Sequence, residues 1–257
     1  MDHPRVTVVV TAGPPSRWPQ LTRAVASARS QTHRPAEVVV VVDHDTAYFR
    51  RVRRDLAGAT VLANTYAPGR AGSRDTGAFL ARTELIAFLD ADVVADPHWL
   101  ARLARAFADP AVVGAGGGLH PDWPDRRPRW LADELMWTVA PGGPAGMVVR
   151  RAPFREAGGF GRREAELPAR MRALTGGRWR HVPDAVLRHD VPRGAASFGE
   201  FLRRCFHGGR PAAGPMPAAV ARHIGAAVRG RGVEHAWRAG GALAAMAAAG
   251  AGALVRR

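Results

Sequence analysis

Over the first hundred positions, short unbroken apolar runs alternate with stretches of helical spacing. Val6–Val10, Val38–Val42 and Leu85–Leu89 are continuous apolar runs, the pattern of parallel strands buried on both faces. Ala59–Ala63 and Val112–Gly114 predict two further short strands. Between them, Leu21, Ala24, Val25 and Ala28 recur at helical spacing, and Tyr48–Leu56 and Gly72–Arg82 read as helices. Pro97 opens another helix through Phe107, because a first-turn proline loses no helical hydrogen bond. Repeated strand–helix units of this kind imply an α/β fold, a mainly parallel sheet flanked by helices.

The alternation breaks at Leu119–Trp130, a segment rich in proline and tryptophan that reads as an ordered connecting loop. Gly146–Arg150 resumes as strand, Glu164–Leu174 as helix, and Trp179–His189 as two short strands on either side of Pro183. Phe198–Phe206, Ala218–Val228 and His235–Val255 complete the chain as helices. The expected division is a sheet domain over 1–210 and a helical appendage over 211–257.

Composition narrows the chemistry. The chain has 257 residues and a formal charge of +15, and all 37 of its Lys and Arg positions are arginine. Without lysine there is no Schiff-base lysine and no P-loop lysine. A lone cysteine, Cys205, excludes a disulfide framework and a multi-cysteine zinc site. The N-terminal apolar run is too short for a signal-peptide core. From Arg178 onward there are 13 arginines against four acidic residues. Ala239–Val255 carries no charge, but its 17 residues extend only about 26 Å as a helix, short of a hydrocarbon core of roughly 30 Å. It is mostly alanine and glycine. A peripheral or packed helix is therefore expected rather than a span.

The sharpest local feature is Phe88-Leu89-Asp90-Ala91-Asp92, an apolar strand ending in two carboxylates. In open α/β sheets ligands bind beyond the carboxyl ends of the strands. Two carboxylates there suit a hard divalent ion, Mg²⁺ or Mn²⁺, able to hold a diphosphate and neutralise it as a leaving group. An aspartate that merely opens a loop is the alternative. Four stretches precede or contain this feature in order: VTVVVTAGPP, EVVVVVDHD, GRAGSRDTGAFLA and ELIAFLDADVVADPHWL. GMVVRRAPFREAGGF and WRHVPDAVLRHDVP follow. Together they resemble the inverting nucleotide-sugar glycosyltransferases of family 2, with the GT-A fold, over approximately residues 5–210. The wording is closest to bacterial enzymes related to glucosyl and glucuronosyl transferases.

That resemblance implies a hexosyltransferase with a UDP-type donor and a divalent cation. It places Thr11 against the nucleoside, Asp43 on the uracil ring, Arg74 toward the donor and Asp90 on the donor side of the metal motif. Asp92 and the late His189 fall on the metal. Asp75 stands where the family usually has asparagine. Each residue also has a plainer reading: Thr11 as a strand-end hydrogen-bonder, Asp43 and Asp45 as turn formers, Arg74 as a solvated helix residue, His189 as a histidine without a ligand role. Inverting transfer also needs a carboxylate to take the acceptor's proton. Alignment of GGFGRREAELPARM on Leu167 puts Glu164 at that position. Arg163 replaces the preceding glutamate of the family. Glu166 lies two residues on and points elsewhere on a helix.

The segment between Trp137 and Met147 is shorter than in the resembling sequences, which implies a more open acceptor site. Trp123, Trp130 and Trp137 flank it, either as sugar-stacking or as packing residues. The acceptor is expected to be lipid-linked or a glycan. The expected location is the cytoplasm, on the inner face of the bacterial plasma membrane, with the basic C-terminal third against anionic lipid. A non-catalytic sugar-nucleotide or glycan-binding relative is the competing class, favoured by Arg163 and the short loop. A nucleic-acid partner is not expected, because the acidic strand ends would repel a phosphate backbone. A sugar-nucleotide-forming transferase would need a glycine-rich loop and a lysine near the first strand, and AGPPSRWP has neither.

Overall fold

The structure, a computed structural model, describes residues 4–138, 146–161, 164–208, 216–229 and 233–255. Arg163 and the loop over 139–145 lie outside them. The described chain divides into two units, Met1–His120 with Gly143–His189, and Pro121–Gly142 with Asp190–Arg257.

The first unit is built on an eight-stranded sheet. Its strands are β1 (Val6–Thr11), β2 (Glu37–Val42), β3 (Thr60–Ala63), β4 (Leu85–Asp90), β5 (Val93–Ala95), β6 (Val112–Asp122), β7 (Met147–Arg150) and β8 (Arg178–Asp190), in the spatial order β3-β2-β1-β4-β7-β6-β8-β5. The α/β architecture of the GT-A fold is present, with helices flanking the sheet and further helices toward the C-terminus. The sheet is mixed. β3, β2, β1 and β4 are parallel, whereas β7 runs antiparallel to β4 and β6, and β5 antiparallel to β8.

Period-two alternation explains the unbroken apolar runs. Val8, Val10, Val38, Val40, Leu85 and Leu89 face one core, with Leu21 and Val25 of α1 (Trp18–Arg29), Tyr48 and Val52 of α2 (Thr46–Asp55), and Trp99 and Leu103 of α4 (Trp99–Arg105). Val9, Val39, Val41, Ile86 and Phe88 face the other. There they meet Ala78 of α3 (Arg70–Leu80), Phe154 of α5 (Arg151–Glu156), and Leu167 and Met171 of α6 (Leu167–Thr175). Both faces are covered, so polar positions are not needed within these strands.

α3 lies unusually close to the sheet. A Cβ on Gly77 would stand 2.5 Å from Val9 Cγ1 and 3.2 Å from Val41 Cγ2. Only a glycine permits that approach, which brings the first turns of α3 over the carboxyl ends of β1 and β4.

Two local expectations give way, and one strand has no counterpart in the hydrophobic pattern. That strand is β5, Val93–Ala95, which pairs with only the last part of β8. β8 is one strand of 13 residues rather than two short ones, with Pro183 inside it, lying between β6 and β5 in the sheet. The helix expected from Glu164 begins as a 3-10 turn over Glu164–Glu166 and becomes α6 at Leu167, with Pro168 in its first turn.

In the second unit, α7 (Phe198–Gly208), α8 (Met216–Val228) and α9 (Val233–Val255) share a cluster with Leu131, Ala132 and Leu135. Trp130 packs its ring 4.6 Å from that of Phe201 and 5.1 Å from that of Phe198, and Trp123 lies against the same cluster. Those two tryptophans are packing residues here. Cys205 is buried in this cluster, and burial pushes its thiol up to about 11. Among the described residues, no helix is long and apolar enough to cross a membrane.

Candidate active site

Strand register brings the candidate residues together. Thr11 and Asp90 are direct partners in the β1–β4 ladder, and Thr11 Oγ1 donates to Asp90 Oδ1 at 2.8 Å. His189 pairs with Val93 across β8 and β5, one residue beyond Asp92. This antiparallel pairing carries a histidine from late in the chain to within 3.6 Å of Asp92 Oδ2, measured from Nε2.

Arg74 is the centre of the first group. It is 1% exposed, and its two terminal nitrogens are committed to carboxylates: Nη2 donates to Asp90 Oδ1 at 2.7 Å and Nη1 to Glu164 Oε1 at 3.0 Å. The guanidinium also lies 5.5 Å from the Phe160 ring centre. A buried cation needs such pairing, because its desolvation is otherwise uncompensated. The solvated-helix reading of Arg74 does not hold. Arg70, one turn earlier and largely exposed, stands 3.6 Å from Asp90 Oδ2. Thus Thr11, Arg74, Asp90 and Glu164 form one connected network.

Asp92 belongs to a second group. Arg17 Nη1 donates to its Oδ2 at 2.6 Å. Burial opposes ionisation of Asp92, but the neighbouring His189 imidazole and the Arg17 guanidinium outweigh it and hold the carboxyl below its ordinary value. His189 is buried, and its Nδ1 has no hydrogen-bond partner among the described residues. Asp92 and His189 supply one carboxylate oxygen donor and one imidazole. No cluster of three or more His, Cys, Asp or Glu able to hold a metal occurs among the described residues. A hard divalent ion often takes only one or two protein ligands when substrate phosphates complete its shell, so this pair fits such an ion.

Asp43 stands in a third group. Its Oδ1 accepts from Asn64 Nδ2 at 2.7 Å and lies 2.8 Å from His44 Nδ1, while Oδ2 accepts from the Gly69 N–H at 2.8 Å. Burial opposes its ionisation, but these donors prevail and lower its pKa. Asn64 in turn accepts from Thr76 Oγ1 and the Tyr66 N–H, tying β3 to α3. Among the described residues, Asp43 forms no hydrogen bond or ion pair with either of the other groups.

Arg17 and Asn64 join the site without any mark in the sequence. Neither carried a motif, since arginine is everywhere in this chain and Asn64 stands alone after a short strand. Asp75 was visible as a departure without a role. It is buried, and it accepts from the backbone N–H groups of Phe160 and Gly161 at 2.8 and 3.2 Å.

Residues 8–164 match the profile of Glycosyl transferase family 2. The glucosyl-dolichyl phosphate glucuronosyltransferase of Haloferax volcanii is 32% identical over 139 residues, covering 52% of this chain and 44% of that protein. The pre-mycofactocin glycosyltransferase of Mycobacterium tuberculosis is 28% identical over 238 residues, covering 82% of this chain and 47% of the relative. The chain thus spans less than half the length of either relative.

The Arg74 network sets an expectation for stability. Arg74→Met should destabilise the protein by about 3 kcal/mol or more, because it strands Asp90 and Glu164 without their cation. Adding Asp90→Asn should recover part of that loss. Urea unfolding of the single and double variants measures both, and an unchanged midpoint in Arg74→Met would contradict the assignment.

Proposed function

The chain belongs to glycosyl transferase family 2, and on that premise we propose that it moves a hexosyl group from a UDP-linked sugar to an acceptor hydroxyl with inversion. The carrying observation is that one buried guanidinium, Arg74, joins the strand-end Asp90 to Glu164, so a potential base stands beside the strand end that bears Asp90 and Asp92.

In this reading the acceptor oxygen attacks the anomeric carbon from the face opposite the diphosphate. The new C–O bond forms as the bond from that carbon to the phosphate oxygen breaks. The proton passes to Glu164, and UDP departs. Glu164 is partly exposed, so solvent-borne groups can reach it, while Arg74 holds its Oε1 in place. Asp43, kept ionised by its donors, has a remaining lone pair on Oδ2 for the N3–H of uracil. Thr11 and Asp90 line the donor side, and Arg74 keeps Asp90 oriented toward the donor. Asp92 and His189 would hold the divalent cation, Mn²⁺ or Mg²⁺, which when bound supplies charge neutralisation of the departing diphosphate.

The second unit supplies the place of action in this proposal. Val233, Trp237 and Leu243 are exposed along α9, and Ile224 along α8. With the arginine excess of the C-terminal third, this apolar face suits the anionic inner leaflet of a bacterial plasma membrane, reached from the cytoplasm. The acceptor is then lipid-linked or a glycan at that surface. The Haloferax volcanii relative is named for a glucosyl-dolichyl phosphate, which accords with the first.

A thermal-shift screen of nucleotide sugars with Mn²⁺ identifies the donor, since a ligand of the folded state alone raises the melting temperature. With that donor, EDTA should abolish UDP release and added Mn²⁺ or Mg²⁺ restore it; full turnover in chelator would remove Asp92 and His189 from the metal role. Glu164→Gln should lower turnover about 10²-fold or more with donor binding nearly intact. The same loss in Glu166→Gln instead would move the base by two residues. Sedimentation with phosphatidylglycerol vesicles should show binding at low salt that vanishes at high salt. No binding at either salt would defeat the membrane proposal, and binding that survives carbonate washing would mean a spanning helix.

A further inference from the structure

Two successive residues of α3 hold Glu164 on the one hand and residues 160–161 on the other. Adjacent helical side chains diverge by about 100° around the axis. Arg74 therefore reaches Glu164, while Asp75 reaches the turn just before it, accepting from the N–H groups of Phe160 and Gly161. Asp75 is 5% exposed and has both carboxylate oxygens engaged. Burial, reinforced by the charge of Glu164, raises its pKa, although the two N–H donors oppose the rise. The turn approaches so closely that a Cβ on Gly159, whose φ is +68°, would stand 2.5 Å from Asp75 Oδ1.

The opposite side of the same turn is held by a cation. Arg170 of α6 donates to the carbonyl oxygens of Gly159 and Phe160, each at 2.8 Å, and to that of Ala157. The backbone of the turn thus directs N–H groups at a carboxylate and C=O groups at a guanidinium. Phe160 anchors it from a third side. Its ring is fully buried, 4.9 Å from that of Phe88, two residues before Asp90 on β4. The turn at Phe160 is thus packed against the same strand that carries Asp90.

We propose that Asp75 and Arg170 are positioning residues for Glu164, clamping the turn over residues 157–161 that precedes it in the chain. This inference rests on the reading of Glu164 as the base. It also gives the aspartate in the GSRDTG motif a physical reason. Two N–H groups converge on this side chain, and a carboxylate offers each an oxygen. A carboxamide has a single acceptor oxygen, and its NH₂ would confront one of the donors. Arg170 is likewise irreplaceable by a point charge, since a planar fork can serve three carbonyls that a lysine ammonium cannot reach together. A misplacement of about 1 Å at a reacting group can lower a rate about 10²-fold, so the clamp matters without touching substrate.

Asp75→Asn and Arg170→Lys test this on the full chain, the second standing in should the first fail to fold. Hydrogen exchange of the amides over residues 158–161 should quicken about tenfold in either variant, with exchange in β1 and β4 unchanged. Unchanged exchange over 158–161 would overturn the clamp. UDP-glucose and UDP-glucuronic acid hydrolysis with Mn²⁺ provides the second readout. There kcat should fall about tenfold or more with KM within about twofold, and the loss should vanish in a Glu164→Gln background. A loss that persists in that background, or no loss at all, would overturn the positioning role alone. Full turnover by Glu164→Gln by itself would instead overturn the base assignment, and this inference with it.

Discussion

The site depends on keeping one positive charge out of water. Arg74 is nearly inaccessible, and a guanidinium in that position is tolerable only if carboxylates and hydrogen-bond acceptors surround it. Asp90 and Glu164 meet this need from two separate elements, one from a central strand and one from a turn some seventy residues later. Thr11 completes the group by donating to the same Asp90 oxygen that Arg74 engages. The arrangement is a mutual constraint. The cation is buried because the carboxylates are there, and the carboxylates hold fixed orientations because the cation leaves them few alternatives.

Around this charge the fold arranges two further devices. α3 can carry Arg74 to the strand ends because Gly77 lets the helix press onto Val9 and Val41. The turn before Glu164 then becomes part of the same assembly through Asp75, Arg170 and Phe160. Asp92 stands apart from this network, with Arg17 and His189 as its partners. The two carboxylates of the strand-end pair thus serve different surroundings. Asp90 is committed to the buried arginine, and Asp92 faces a histidine and a half-exposed arginine.

The second unit owes its order to aromatic and small-residue packing. Trp130 packs against both Phe198 and Phe201, and its backbone approaches α9 closely enough that a Cβ on Gly241 would stand 2.2 Å from its carbonyl oxygen. The alanine- and glycine-rich character of α9, which in sequence resembles an indifferent apolar stretch, permits this close contact. The same helix leaves Val233, Trp237 and Leu243 exposed.

The sequence alone determined the layers of the first unit. Unbroken apolar runs at β1, β2 and β4, five residues long and bounded by turn residues, have the length and pattern of strands covered on both faces, and the helical spacing of Leu21–Ala28 or the glycine-rich entry to α3 is a local signal. The strand-end carboxylates were legible for the same reason, since a strand, its end and the acids beyond it are contiguous. Tertiary structure decided everything that joins distant segments. That β7 and β6 would run antiparallel, that β8 would deliver His189 beside Asp92, and that Arg74 would be buried rather than solvated all depend on pairings whose local sequences fit several registers. Arg17 and Asn64 had no local signature, because a hydrogen bond between residues 75 or 21 positions apart leaves no mark on the neighbours of either. Asp75 lay between these cases. Its departure from asparagine was readable, but the reason was not, because the two N–H groups it receives come from a turn 85 residues away that only the folded chain brings within reach.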